Sequence, residues 1–210
     1  MNALDKLIEA GYESAMSYTE YCELIDKLHR EEKTTGAEQS DVLLEYSKLN
    51  KHRMDRIGRN VKVYDDTRAI LDSIDEPLTW ILITEAWCGD AAQSLPVINA
   101  MANASDKIKL KLVLRDDHPE LMDMFLTNGG KSIPKLVCVN SKNELLFSWG
   151  PRPEELQQKV KDYKARTEPK PEYSEFVKDL QKWYAKDKAK SIQAEIARLI
   201  ENEVAIEASN

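Results

Sequence analysis

In the stretch TEAWCGDAAQSLP, residues 84–96, an apolar run gives way to the start of a helix, and Cys88 stands at the joint. A thiolate at a helix N-terminus is stabilised by unpaired backbone donors and by the helix dipole. Its pKa then falls below about 8.5, which makes the sulfur a nucleophile near neutral pH. Glu85 and Asp90 oppose this, because negative charge close to a thiolate raises its pKa. Such a thiol attacks a disulfide sulfur and forms a mixed disulfide, which a second thiol must resolve. Against that reading, a lone cysteine is more often a small buried hydrophobe than a nucleophile. Cys88 precedes a helix and sits in a turn instead of on an apolar stripe, which favours the reactive reading.

The cysteines at positions 22, 88 and 138 share no ligand-like spacing with one another or with His29, His52 and His118, so no metal site and no cofactor is expected. The N-terminus MNALDKLIEAGYESAM is charged throughout, and no apolar run approaches about 18 residues, so neither a secretory signal nor a membrane span is expected. The expected location is cytoplasmic, where the thiols stay reduced by default. A net charge of −7 over 210 residues excludes a sequence-independent nucleic-acid binder, which needs clustered Lys and Arg against phosphate. The basic run KWYAKDKAK (182–190), broken by Asp187, reads as a solvated helix face.

The elements that must position Cys88 follow from periodicity. Residues 1–62 read as a helical hairpin extension, with Tyr18, Tyr21, Cys22, Ile25 and Leu28 on one stripe and Leu43, Tyr46, Leu49, Met54 and Ile57 on the next. Ser40 or Asp41 caps the second helix. Residues 63–167 alternate strand-like and helical segments, the pattern of an α/β layer. LTWILITEA reads as a central strand covered on both faces, and the helix after Cys88 is bent at Pro96. KIKLKLVLR alternates as a strand, and PELMDMFLTNGG reads as a helix from Pro119 to Gly129. A hairpin, PKLVCVN and ELLFSW, and a helix from Pro153 close the unit. Residues 168–210 carry one long helix from about Tyr173, whose apolar residues must pack on the domain, on the N-terminal hairpin or on a second copy of the chain in a homodimer.

Four motifs in this order resemble the thioredoxin family, in particular bacterial thioredoxin-like proteins with a WCGD turn. Trp87, Cys88 and Gly89 match the active-site turn, and Pro96 matches the proline that kinks the active-site helix. SIPKLV matches the segment whose proline, here Pro134, is cis in the family, and WGP at 149–151 supplies the glycine after the last strand. The resemblance covers roughly residues 66–165 and implies a thioredoxin-like α/β fold, a central mixed sheet flanked by helices, with extra helices at both termini. It implies Cys88 as the catalytic thiol. Substrate then meets Trp87, Gly89, Asp90, Ile133 and Pro134, with the backbone of Ile133 open to an extended peptide.

The chain departs from the family at two places. The second redox cysteine is replaced by Ala91, and the buried acid beneath the redox pair by Leu82. Cys138 lies some 13 Å down a strand from Pro134, out of disulfide range, and Cys22 reads as core packing. A monothiol exchange with protein or small-molecule thiols and disulfides is therefore expected, with release by an external thiol. Two alternatives stand beside it. One is a redox-inert peptide or protein binding module. The other is an iron–sulfur carrier like the monothiol glutaredoxins, against which Gly129 and Gly130 precede Pro134 instead of following it.

Overall fold

The computed structural model describes residues 3–207. The N-terminal region holds α1 (Ala3–Ser14), α2 (Tyr18–Arg30) and α3 (Asp41–Asn60), followed by α4 (Asp65–Asp72). The central unit runs β1 (Leu78–Thr84), α5 (Gly89–Ala102), β2 (Ile108–Leu114), α6 (Pro119–Asp123), β3 (Lys135–Val139), β4 (Leu145–Trp149) and α7 (Glu154–Ala165). The chain ends in α8 (Tyr173–Asp187) and α9 (Lys190–Glu207).

The strands lie in the order β2-β1-β3-β4. β1 pairs parallel with β2 and antiparallel with β3, and β3 pairs antiparallel with β4, so the sheet is mixed. Alternation along β1 sends Trp80 and Leu82 to one face and Ile81 and Ile83 to the other, and all four are buried. The first face packs against α2, α3, α5, α7, α8 and α9, and the second against α1 and α6. An α/β fold with helices on both faces is therefore present, and its strands and helices follow the expected order.

Four elements differ from the sequence reading. The N-terminal hairpin contains a break, because the capping box of Ser17 and Glu20 starts a new helix at Tyr18. Just before it, Met16 exchanges two 2.8 Å backbone hydrogen bonds with Leu112 on β2. The inward face of α3 carries Leu44, Ser47, Asn50 and Met54, while Tyr46 and Leu49 are each 46% exposed. The helix from Pro119 stops at Asp123, and Gly129 and Gly130 belong to a turn closed by Thr127 and Gly130. Ser40, one of the two expected caps, accepts from Leu43 N at 3.3 Å.

The long C-terminal helix is broken as well. Lys188 and Ala189 have φ of +54° and +66°, and this left-handed pair separates α8 from α9. Leu180, Tyr184, Ile192, Ile196 and Ile200 are buried and join the core on the α5 side of the sheet. A large buried side chain of this kind contributes about 1.5–3 kcal/mol. Among the described residues, no helix is long and apolar enough to cross a membrane.

Candidate active site

β1 delivers the turn. Glu85 and Ala86 are buried at its end, Trp87 and Cys88 emerge half-buried, and Cys88 is the N-cap of α5. Both backbone groups of Ala86 are tied to the N-terminal region. Its N–H donates to Thr35 Oγ1 (2.8 Å), and its carbonyl accepts from Asn50 Nδ2 (2.9 Å). Asn50 Oδ1 accepts in turn from Arg53 Nη1 (2.8 Å), so this buried amide is satisfied at both ends.

The loop between α2 and α3 lies against Trp87. Gly36 has φ of +89°, and a Cβ on it would stand 2.8 Å from Asp116 Oδ2 and 3.2 Å from Trp87 Nε1, so only glycine fits. The Arg115 guanidinium lies 4.8 Å from the centroid of the Trp87 ring. Glu85 Oε1 accepts from Asp116 N (3.0 Å), and burial pushes this carboxyl up from its ordinary value.

On the opposite wall, Cys88 Sγ donates to the carbonyl of Ile133 at 3.3 Å. The Ile133–Pro134 peptide bond is cis. Gly150, with φ of +110°, lets the chain after β4 close on this segment, since a Cβ there would stand 2.4 Å from Pro134 O. Lys135 Nζ donates to Gly150 O (2.9 Å) and to Thr127 Oγ1 (2.8 Å), fastening the same two segments from the buried side.

Against the charge of Arg152, Asp90 is the charged group that pushes the sulfur's pKa up. Its Oδ1 accepts from Tyr184 Oη (2.9 Å), and its Oδ2 accepts from Arg152 Nε (3.0 Å) and pairs with Arg152 Nη2. Burial and the Asp90 carboxylate push the Cys88 thiol up to about 12, against backbone donation from Ala91 and Asp90 and the charge of Arg152, which pull it down. The expected contest between helix start and neighbouring acid is thus won by burial and the acid. The thiol rests protonated.

The predicted residues are brought together unevenly. Cys88 meets Ile133 directly, Asp90 joins Arg152 and Tyr184, and Trp87 faces Gly36 and Arg115. Gly89 looks toward the α8 side, where a Cβ would meet Gln181 Nε2 at 3.4 Å, and Gln181 is itself held by Gln93 (2.7 Å). Ala91, at the resolving position, is 2% exposed. Cys138 is fully buried on β3 opposite Trp80, Cys22 is half-buried on α2, and no disulfide joins any of the three cysteines. Arg152, Tyr184, Asn50 and Thr35 complete the site without belonging to any of the four sequence motifs. A tyrosine hydroxyl on the apolar stripe of α8 was the available signal for one of them.

A family model described as thioredoxin matches residues 36–164. Among solved structures, a protein of unknown function from Pseudomonas aeruginosa superposes with a TM-score of 0.56 at 14% identity, over 73% of this chain and 85% of that one. An HIV epitope-scaffold superposes with a TM-score of 0.51 at 12% identity, over 93% of this chain and 99% of that one. These likenesses concern the fold. No curated protein matches the sequence.

Proposed function

The chain belongs to the thioredoxin family, and from that membership we propose that it carries out thiol–disulfide exchange through the single thiol of Cys88. The observation that carries this reading is the placement of a half-buried sulfur at the start of α5, 3.3 Å from the Ile133 carbonyl. In the first step Sγ attacks one sulfur of a disulfide R–S–S–R′. The bond between Cys88 and R–S forms, the bond to R′–S breaks, and the thiol proton leaves with R′–SH. With Ala91 at the resolving position, an external thiol R″–SH attacks the mixed disulfide, releases R–S–S–R″ and returns its proton to Cys88.

Partners on this reading are protein or small-molecule thiols and disulfides. Because the thiol rests protonated, the reactive thiolate grows tenfold with each pH unit below about 12. The experiment is mass spectrometry after incubation with glutathione disulfide between pH 7 and 10. A glutathione adduct confined to Cys88, forming faster as pH rises and absent in Cys88→Ser, is expected; no adduct anywhere in that range would sink the proposal.

A second reading, a redox-inert module that uses the same groove for binding, is favoured by the setting of Cys88, whose burial beside the Asp90 carboxylate pushes its thiol up. It predicts that Cys88→Ser binds the protein's partners unchanged and that the glutathione adduct never forms.

A further inference from the structure

A cavity of ≈ 450 Å³ opens between the C-terminal end of α3, the middle of α5 and the α8–α9 junction. That size falls within the range of small-molecule sites, about 300–1,000 Å³. Its floor is apolar, with Ile57, Val97 and Ile192 contributing. Among the described lining residues the charged ones are Arg56, Lys62 and Lys188, all basic, and none of them is ion-paired with a described carboxylate. On a chain of net charge −7, three unpaired cations around one apolar hollow are a local reversal of sign.

The walls are held in place before anything binds. Gln193, 1% exposed, accepts from Tyr64 N (3.0 Å) and donates to Lys62 O (2.9 Å), which locks the segment after α3 onto α9. Tyr64 Oη donates to Lys188 O (3.0 Å), which fixes the far side. Lys188 and Ala189 stand there in the left-handed region, a conformation that costs a residue with a Cβ roughly 1–2 kcal/mol. Lys188 is the left-handed C-cap of α8, its N–H donating to Tyr184 O (3.1 Å). Here both residues line the cavity that the break in the helix leaves beside them.

We propose that this cavity binds a small amphipathic anion, an apolar body bearing one carboxylate or phosphate group. The apolar floor takes the body, and Arg56, Lys62 and Lys188 take the head. Tyr184 forms part of the wall while its hydroxyl holds Asp90, so a bound molecule sits one side chain from the charge that acts on Cys88. The binding itself does not depend on Cys88 being redox-active.

The test is calorimetric titration of the full chain with decanoate and with decyl phosphate, each below its micellar concentration, with decan-1-ol as the neutral comparator. Saturable binding of one molecule per chain is expected, at least tenfold tighter for an anion than for the alcohol. The preferred anion then tells a carboxylate site from a phosphate site. The double variant Arg56→Gln/Lys188→Gln should weaken the anions tenfold or more, and Ala185→Trp, at an exposed position on the wall, should abolish binding. Unchanged circular dichroism verifies that each variant is folded. Should either variant unfold, raising the salt on the wild-type chain replaces it, because screening must weaken the anions and spare the alcohol. No saturable heat from either anion, equal affinity for decan-1-ol, or folded variants that bind like wild type would overturn the proposal.

Discussion

The two terminal regions fasten the Cys88 turn by different chemistry. The N-terminal region grips its backbone: Thr35 and Asn50 satisfy the N–H and the carbonyl of Ala86, and Gly36 presses against Trp87. These three contacts are neutral, and behind Asn50 the same region brings Arg53 Nη1 to 3.9 Å from where a Cβ on Gly89 would stand. The C-terminal side instead grips an ionised group, because Tyr184 from α8 and Arg152 from the segment after β4 hold both oxygens of Asp90. A neutral clamp on the backbone fixes where the thiol stands, whereas a charged clamp on Asp90 also sets how readily the thiol ionises. The N-terminal region thus positions the turn, while Asp90 and Arg152 of the central unit, with Tyr184 from α8, add charge to the effect of burial on the thiol.

The largest effects should come from the charged clamp. Asp90→Asn leaves the partly buried Arg152 without its partner and is expected to lower unfolding stability by about 3 kcal/mol. It also removes the charge that opposes ionisation of Cys88, so alkylation by iodoacetamide at pH 8 should speed up about tenfold, one pKa unit. Arg152→Gln costs similar stability and must move alkylation the other way, about threefold slower; the same sign in both variants would break the tuning argument. Asn50→Ala comes next. It strands the buried carbonyl of Ala86 and should lower stability by about 2 kcal/mol in urea unfolding, with the alkylation rate of folded protein within about twofold of wild type.

The pH dependence of stability reads the same thiol in another way. Folding raises the Cys88 pKa from its ordinary 9.0 to about 12, so the folded chain holds a proton that the unfolded chain releases. That contribution is fully present below pH 9 and is lost as pH rises toward 12, by at most about 1.4 kcal/mol per unit. Cys88→Ala should show a correspondingly flatter decline between pH 9 and 11 in chemical denaturation. The smallest effect is expected from Trp183→Phe, which loses one exposed hydrogen bond to Glu155 (2.8 Å). It should shift stability by no more than about 0.5 kcal/mol and leave alkylation unchanged.

Much of the fold was legible because β1 and α5 are apolar in patterns that admit few alternatives. β1 is an almost unbroken hydrophobic run, and α5 has buried side chains on all sides, with Cys88 at the junction between them. The inward face of α3 was not legible, because Ser47 and Asn50 are buried through hydrogen bonds to His29 and Ala86, which a count of apolar spacing cannot register. The same limit hid the charged half of the site. Arg152 lies 62 residues from Asp90 and Tyr184 lies 94 away, so their meeting depends on the packing of β4 and α8. The break at Lys188 escaped for a different reason: neither Lys188 nor Ala189 is the glycine that ordinarily marks a left-handed helix end.

The two backbone hydrogen bonds between Met16 and Leu112 carry a consequence for assembly. β2 is an outer strand of the sheet, and an outer strand with bare N–H and C=O groups is a template on which another chain can add itself. Met16 occupies that template at its buried midpoint, with α1 leaving on one side and α2 on the other. One extended residue between two helices therefore guards the sheet against growth along β2, while β4 forms its other edge.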